Sequence, residues 1–184
     1  MEETKSKTKK IVVVDANVVI SSLISREGIT QAVLSLLLSL REIKVIIPAS
    51  IKEEVFKYAH LISKKSGVRL QTVKRVLSEL FSKMGEIDEC KYASEDIEFY
   101  GNFVRDESDI PLIIVAYAHR PCFVVTYNKS DFRKDKLERE GIYVVTPKEM
   151  LEALGMEVAV KSRIKTKRGF RIFRSIMAVS KKRK

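Results

Sequence analysis

Short apolar runs recur along the chain at intervals too wide for hairpins, and stretches of helical periodicity fill the gaps. Residues 11–15 read Ile-Val-Val-Val-Asp, four β-branched residues closed by a carboxylate after a polar, basic leader of residues 1–10. A run that short, continuous rather than alternating, predicts a strand buried on both faces of a parallel sheet. Ile43–Ile47 closed by Pro48, Cys122–Thr126 and Ile142–Val145 are further runs of the same kind. Between them the spacing predicts helices over Val18–Ile24, Gln31–Leu40 capped by Thr30, and a long Ser50–Lys65 capped by Ser50 and ended by Gly67. Others follow over Leu70–Met84, Glu95–Val104, Pro111–His119, Asp131–Glu140 and Pro147–Leu154. Strands alternating with helices predict an α/β fold, a three-layer α/β/α sandwich around a central parallel sheet.

In such a sheet Asp15 stands at the carboxyl end of the first strand, where ligand crevices form. A carboxylate held there is costly unless it faces a cation or hydrogen-bond donors. Three other segments bring carboxylates toward the same end. In the helix after the second strand, Ile51, Val55, Tyr58, Ala59 and Ile62 make one apolar stripe. Glu54 lies on the shoulder of that stripe, and Glu53 points nearly opposite; a surface glutamate in a helix first turn is the competing reading. Asp109 shares a helical face with Ile113 and Ala116 and should point inward, but either Asp106, Ser108 or Asp109 could instead cap that helix. After the third long strand, Thr126, Asn128 and Asp131 cluster polar oxygens, with capping of the next helix as the alternative for Asp131.

Carboxylates from four segments converging on one crevice repel one another, and a divalent cation accounts for their company. Mg²⁺ or Mn²⁺ prefers hard oxygen ligands and retains several waters. Such an ion polarises a phosphoryl oxygen and generates hydroxide near neutral pH, which implies phosphodiester hydrolysis without a covalent intermediate. Other chemistries lack their residues. There is no GxxxxGK[ST] loop, no GxGxxG turn after the first strand and no GxSxG elbow. His60 and His119 share no metal-ligand spacing, and Asn17 occupies the position where an aspartyl-phosphate enzyme would want a second aspartate.

Composition changes the picture at the C-terminal end. The chain has 184 residues, 45% of them hydrophobic, and a formal charge of +11. From Met156 to Lys184 there are eleven Lys/Arg against Glu157 alone, so this segment carries +10 and the rest +1. A polycationic tail on a nearly neutral body points to a polyanion such as nucleic acid, a solvated tail being the plainer reading. Phe170, Ile172, Phe173, Ile176, Met177 and Val179 suggest that part of it packs as an amphipathic helix. Cys90 and Cys122 fit no metal spacing and read as reduced thiols of a cytosolic protein. No run approaches the roughly 18 apolar residues of a membrane span, and the leader has no signal-peptide core, so a cytoplasmic location is expected.

Val14-Asp15-Ala16-Asn17-Val18-Val19-Ile20-Ser21, Pro48 with Glu54 six residues on, Asp106-Glu107-Ser108-Asp109-Ile110-Pro111 and Val125-Thr126-Tyr127-Asn128-Lys129-Ser130-Asp131-Phe132 together resemble a PIN domain. That is the nuclease fold of VapC-like toxins and of several RNA-processing enzymes. The resemblance spans roughly residues 10–150. It implies a metal-dependent endoribonuclease in which Asp15, Glu54, Asp109 and Asp131 hold Mg²⁺ or Mn²⁺. Asn17, Thr126 and Asn128 would support them, and Asp106 would supply an outer oxygen. Asn128 stands where many relatives carry aspartate; others have Asn with Asp three residues later, as here. The domain would cover residues 11–155 and the tail 156–184, with Lys161, Arg163, Lys165, Lys167, Arg168, Arg171 and Arg174 holding RNA, structured or ribosomal. A homodimer and an antitoxin-like protein partner belong to the same expectation. The alternatives are a non-catalytic RNA- or ribosome-binding module on this fold and the toxin of a toxin–antitoxin pair.

Overall fold

The computed structural model describes residues 9–25, 28–92 and 97–155. The seven basic candidates from Lys161 to Arg174 and the apolar positions of the tail lie outside them. The strands are β1 (Lys10–Val14), β2 (Ile43–Pro48), β3 (Gly85–Ile87), β4 (Cys122–Val125) and β5 (Ile142–Val145). The helices among the described residues are α1 (Ala16–Ile24), α2 (Ile29–Ser39), α3 (Ala49–Lys57), α4 (Ala59–Ser66), α5 (Leu70–Phe81), α6 (Ile97–Gly101), α7 (Ile110–Ala118), α8 (Lys134–Arg139) and α9 (Pro147–Ala153).

All strand pairs are parallel, in the order β3-β2-β1-β4-β5. Val12, Val13 and Val14 are fully buried because helices cover both faces, which is why β1 is a continuous apolar run. Right-handed crossovers place the helices between β1 and β3 on one face and those between β3 and β5 on the other. α1 packs on α2, α3 and α4, and α2 on α9, while α7 lies against β1, β2 and β4. α7 is apolar nearly all round, with Ile110 and the run from Leu112 to Ala116 buried, as a helix wedged between other elements must be. The three-layer α/β/α sandwich follows. β1 and β4 are neighbours whose connections leave in opposite directions. The crevice therefore opens at their carboxyl ends, the switch point where such sheets bind ligands.

Four local expectations need correction. β3 is a fifth strand in a stretch assigned no element, just after the helix expected over Leu70–Met84: α5 stops at Phe81, and Gly85–Ile87 pairs with the edge of β2. Three residues with one apolar side chain carry no periodicity; here a Cβ on Gly85 would stand 3.1 Å from Ile46 Cγ2, so the close strand approach favours glycine. The long helix after β2 breaks at Tyr58 into α3 and α4, and α4 closes on left-handed Gly67 (φ +67°) as expected of that glycine. The helix after β4 begins at Lys134 rather than Asp131, which ends a 3₁₀ turn. Finally, neither Thr30 nor Ser50 is an N-cap: α2 starts after Gly28 and α3 after Pro48.

The cap of α3 comes from far away. Buried Glu89 accepts from the Ala49 N–H through Oε2 (2.9 Å) and from the Ser50 N–H through Oε1 (3.1 Å). A carboxylate satisfies two orphan donors and complements the positive helix end at once. Glu89→Gln keeps one acceptor and turns an N–H₂ on the other donor. It should cost about 1–2 kcal/mol, read as a lower urea midpoint at unchanged m-value; an unchanged midpoint would refute the cap.

Candidate active site

Asp15 directly follows β1, at the N-cap position of α1, and is 6% exposed. Burial raises its carboxyl pKa, and the donors around it only partly offset this: the Thr126 hydroxyl, the backbone of Ala16 and Asn17, and the Asn17 side chain. The Thr126 hydroxyl donates to Asp15 Oδ2 at 2.6 Å, and Asn17 Nδ2 donates to the same oxygen at 2.6 Å. Both side-chain donors thus fall on Oδ2, while the backbone of Ala16 and Asn17 also donates to the carboxylate. Asn17 Nδ2 also reaches Thr126 Oγ1 (3.1 Å), and its Oδ1 accepts from the Tyr127 N–H (3.2 Å). One amide thereby ties the end of β1 to the end of β4 across the switch point. Thr126, fully buried, completes the tie by accepting the Asn128 N–H at 3.0 Å.

Glu54 is half-buried on α3 and Glu53 exposed, as the helical phase required. The Glu54 pKa is raised by burial and then by the charge of Asp15, with Lys57 pulling the other way. Asp109, also half-buried, sits at the N-cap position of α7 but makes no cap bond. The capping role at this turn falls to Asp106, whose exposed carboxylate accepts the Ser108 N–H at 3.0 Å. That bond and the Ser108 hydroxyl hold Asp106 below the usual carboxylate range.

Asp109 is the most perturbed of the acids. Its carboxyl is pushed up to about 7, by burial first and then by the charges of Asp15, Asp131, Asp106 and Glu54. Segments far apart in sequence meet here through backbone bonds. The Arg105 N–H donates to the Asp131 carbonyl (2.7 Å), the Arg133 N–H donates to that of Phe103 (2.9 Å), and Val104 bridges Phe132. The half-buried Asp131 caps no helix, since Arg133 occupies that position for α8. Lys129, in the same turn, pairs with Glu149 of the Thr146–Glu149 capping box and so does not offset the acids. Asn128 is exposed and is tied into the site through its backbone, its N–H donating to Thr126 and its carbonyl accepting the Asp131 N–H.

These placements bring Asp15, Glu54, Asp109 and Asp131 within electrostatic reach around one crevice, with Asn17 and Thr126 bracing Asp15. Among the described residues no group of three or more His, Cys, Asp or Glu is gathered tightly enough to hold a metal ion. The fit to a divalent cation is therefore one of chemistry: an all-oxygen set, and a cluster of acids whose charges, added to burial, bring Asp109 to about 7. Two features escaped the sequence. Glu89 aims α3 from forty residues away, and Tyr127 hydrogen-bonds Thr30 across 97 positions; neither leaves a local signal. The remaining titratable candidates do other work. Buried Cys122 has its thiol pushed up to about 12, and His119 Nδ1 bonds the Val115 carbonyl at 2.9 Å.

Acidic side chains gather at the switch point of a parallel five-stranded sheet with helices on both faces, an α/β/α sandwich. The chain belongs to the PIN domain family: the family model matches residues 13–120, more than half of the sequence. PIN domains are generally nucleases, and those nucleases generally use divalent metal ions. The match spans the positions of Asp15, Glu54 and Asp109 and stops before β4, so it does not reach Thr126, Asn128 and Asp131. No curated protein matched the chain. No helix among the described residues is long and apolar enough to cross a membrane.

Proposed function

We propose that the protein is a metal-dependent endoribonuclease. The observation that carries this reading is that Asp15, Glu54 and Asp131 come close enough to half-buried Asp109 for their charges to add to burial in raising its carboxyl, in a family of nucleases. Asp15, Glu54, Asp109 and Asp131 would hold Mg²⁺ or Mn²⁺, which when bound polarises a phosphoryl oxygen and acidifies a water molecule. The chain's own part is positioning. Thr126 and Asn17 fix Asp15 by two 2.6 Å bonds to Oδ2. Glu89 sets the start of the helix that presents Glu54. The Arg105–Asp131 backbone bond holds the two late acidic segments together. RNA phosphates are repelled by these acids, and the eleven Lys/Arg of residues 161–184 would supply the attraction. The same tail favours a second reading, a non-catalytic RNA-binding module, in which the acids would be dispensable.

Metal removal separates the two. The full chain should cut a labelled RNA oligonucleotide internally with Mn²⁺ or Mg²⁺, stop on addition of excess EDTA and resume when Mn²⁺ is restored. Cleavage that persists in EDTA, or RNA binding with no cleavage under any metal, would count against the enzyme.

A further inference from the structure

We propose that Tyr127 is a stacking platform that receives an unpaired nucleobase next to the scissile phosphate; this rests on the ribonuclease reading above. Tyr127 directly follows Thr126, the residue that donates to Asp15. It is anchored at both ends. Its backbone N–H donates to Asn17 Oδ1 (3.2 Å), and its phenol is hydrogen-bonded to the hydroxyl of Thr30, which is 2% exposed in α2. Despite both anchors, Tyr127 remains 43% exposed. Tyr92, Phe99 and Tyr143 are exposed too, but each packs against another ring, Tyr143 on Phe123 and Tyr92 on His119 among them; Tyr58, 42% exposed, stacks on no described ring either, but no bond ties it to the residues bracing Asp15. No described ring or cation stacks on Tyr127.

Thus a rigid aromatic side chain, one residue from the site's central carboxylate brace, presents apolar surface to water. Fixing it beforehand removes the entropy that a free side chain would lose on binding. Every base has a π face, so the contact tolerates sequence but needs a base free of its own duplex stack. Asn17 gives the coupling a physical form, because the same amide holds Asp15 and the Tyr127 backbone. A bound base and the reacting phosphate are thereby referred to one rigid frame.

The competing explanation is that the phenol merely ties the loop to α2. Tyr127→Phe removes that tie and keeps the ring, whereas Tyr127→Leu removes both. Affinity for a fluorescent single-stranded oligonucleotide, measured by anisotropy, should weaken on the order of tenfold in Tyr127→Leu and be largely restored in Tyr127→Phe and Tyr127→Trp. In cleavage assays with Mn²⁺ the Leu variant should lose through KM rather than kcat. Wild-type affinity in Tyr127→Leu, or equal losses in the Leu and Phe variants, would overturn the platform. A wild type that binds but never cleaves overturns the ribonuclease reading instead, and the order of affinities still decides the platform.

Discussion

Asp109→Asn is expected to abolish Mn²⁺-stimulated RNA cleavage while raising the melting temperature of the metal-free protein at pH 8. The two effects have one cause. The folded-state carboxyl titrates at about 7 against an ordinary value of 3.8, so the fold binds this proton more tightly than the unfolded chain does. Its contribution to stability is complete below the unfolded value and is lost as pH rises from about 4 through 7. The N-terminus of α7 favours a carboxylate at this position, but burial and four acidic neighbours outweigh it, since the net shift is upward. Above pH 7 the ionised group should cost on the order of 2 kcal/mol, allowing for solvent around a half-buried side chain. An amide removes that repulsion, and the melting temperature should rise by about 5 °C. Mn²⁺ reverses the order: at a hundredfold excess over Kd it stabilises the wild type by about 2.7 kcal/mol and the variant much less. Thermal melts at pH 5 and pH 8, with EDTA and with Mn²⁺, test each sign. A variant less stable than the wild type at pH 8 in EDTA would show that Asp109 does not face the other acids. Undiminished cleavage would remove it from the proposed metal site.

Removing residues 161–184 should weaken RNA binding at 50 mM salt by two orders of magnitude or more and flatten its salt dependence. The deleted segment holds eleven Lys/Arg and no acid, so the remaining chain has no net positive charge left over for a polyanion. For single-stranded RNA, log K falls against log salt with a slope of about −0.7 per phosphate neutralised. If even half of the tail's cations engage phosphates, the slope should become shallower by roughly three to four. Filter binding at a series of salt concentrations gives both numbers. The same truncation should leave the Mn²⁺-induced rise in melting temperature intact, because the proposed ligands all precede Gly155. An unchanged slope would show that the tail is only a solvated appendage.

Parts of this protein were legible because they are local. A strand buried on both faces must be apolar at every position, so β1 and its terminal Asp15 could be read from five residues. Glu54 could be separated from Glu53 because neighbouring helix positions are 100° apart and only one borders the stripe of Ile51 and Val55. The structure places them that way, Glu54 half-buried and Glu53 exposed. Other features had no local trace. Whether Asp106 or Asp109 caps its turn was open in sequence, where both residues have the same chemistry. The turn geometry decided it, giving Asp106 the bond to Ser108 and turning Asp109 toward the acids. The expected cap at Ser50 failed because the helix starts earlier, at Ala49, where a buried glutamate from another segment accepts the Ala49 and Ser50 N–H groups.

The sequence by itself determined the alternation of strands and helices, the acid at the end of β1, the choice of Glu54 and the division between a neutral body and a basic tail. Each follows from the period of a helix or strand or from a simple sum of charge. Only the tertiary structure decided the strand order β3-β2-β1-β4-β5, and with it that Asp15 and Thr126 would meet at a switch point. It also decided that Asp109 and Asp131 would share a crevice, and that Tyr127 would be held by Thr30. Those are contacts between residues far apart in the chain. They are selected by burying both faces of one sheet at once, a condition no single stretch of residues carries.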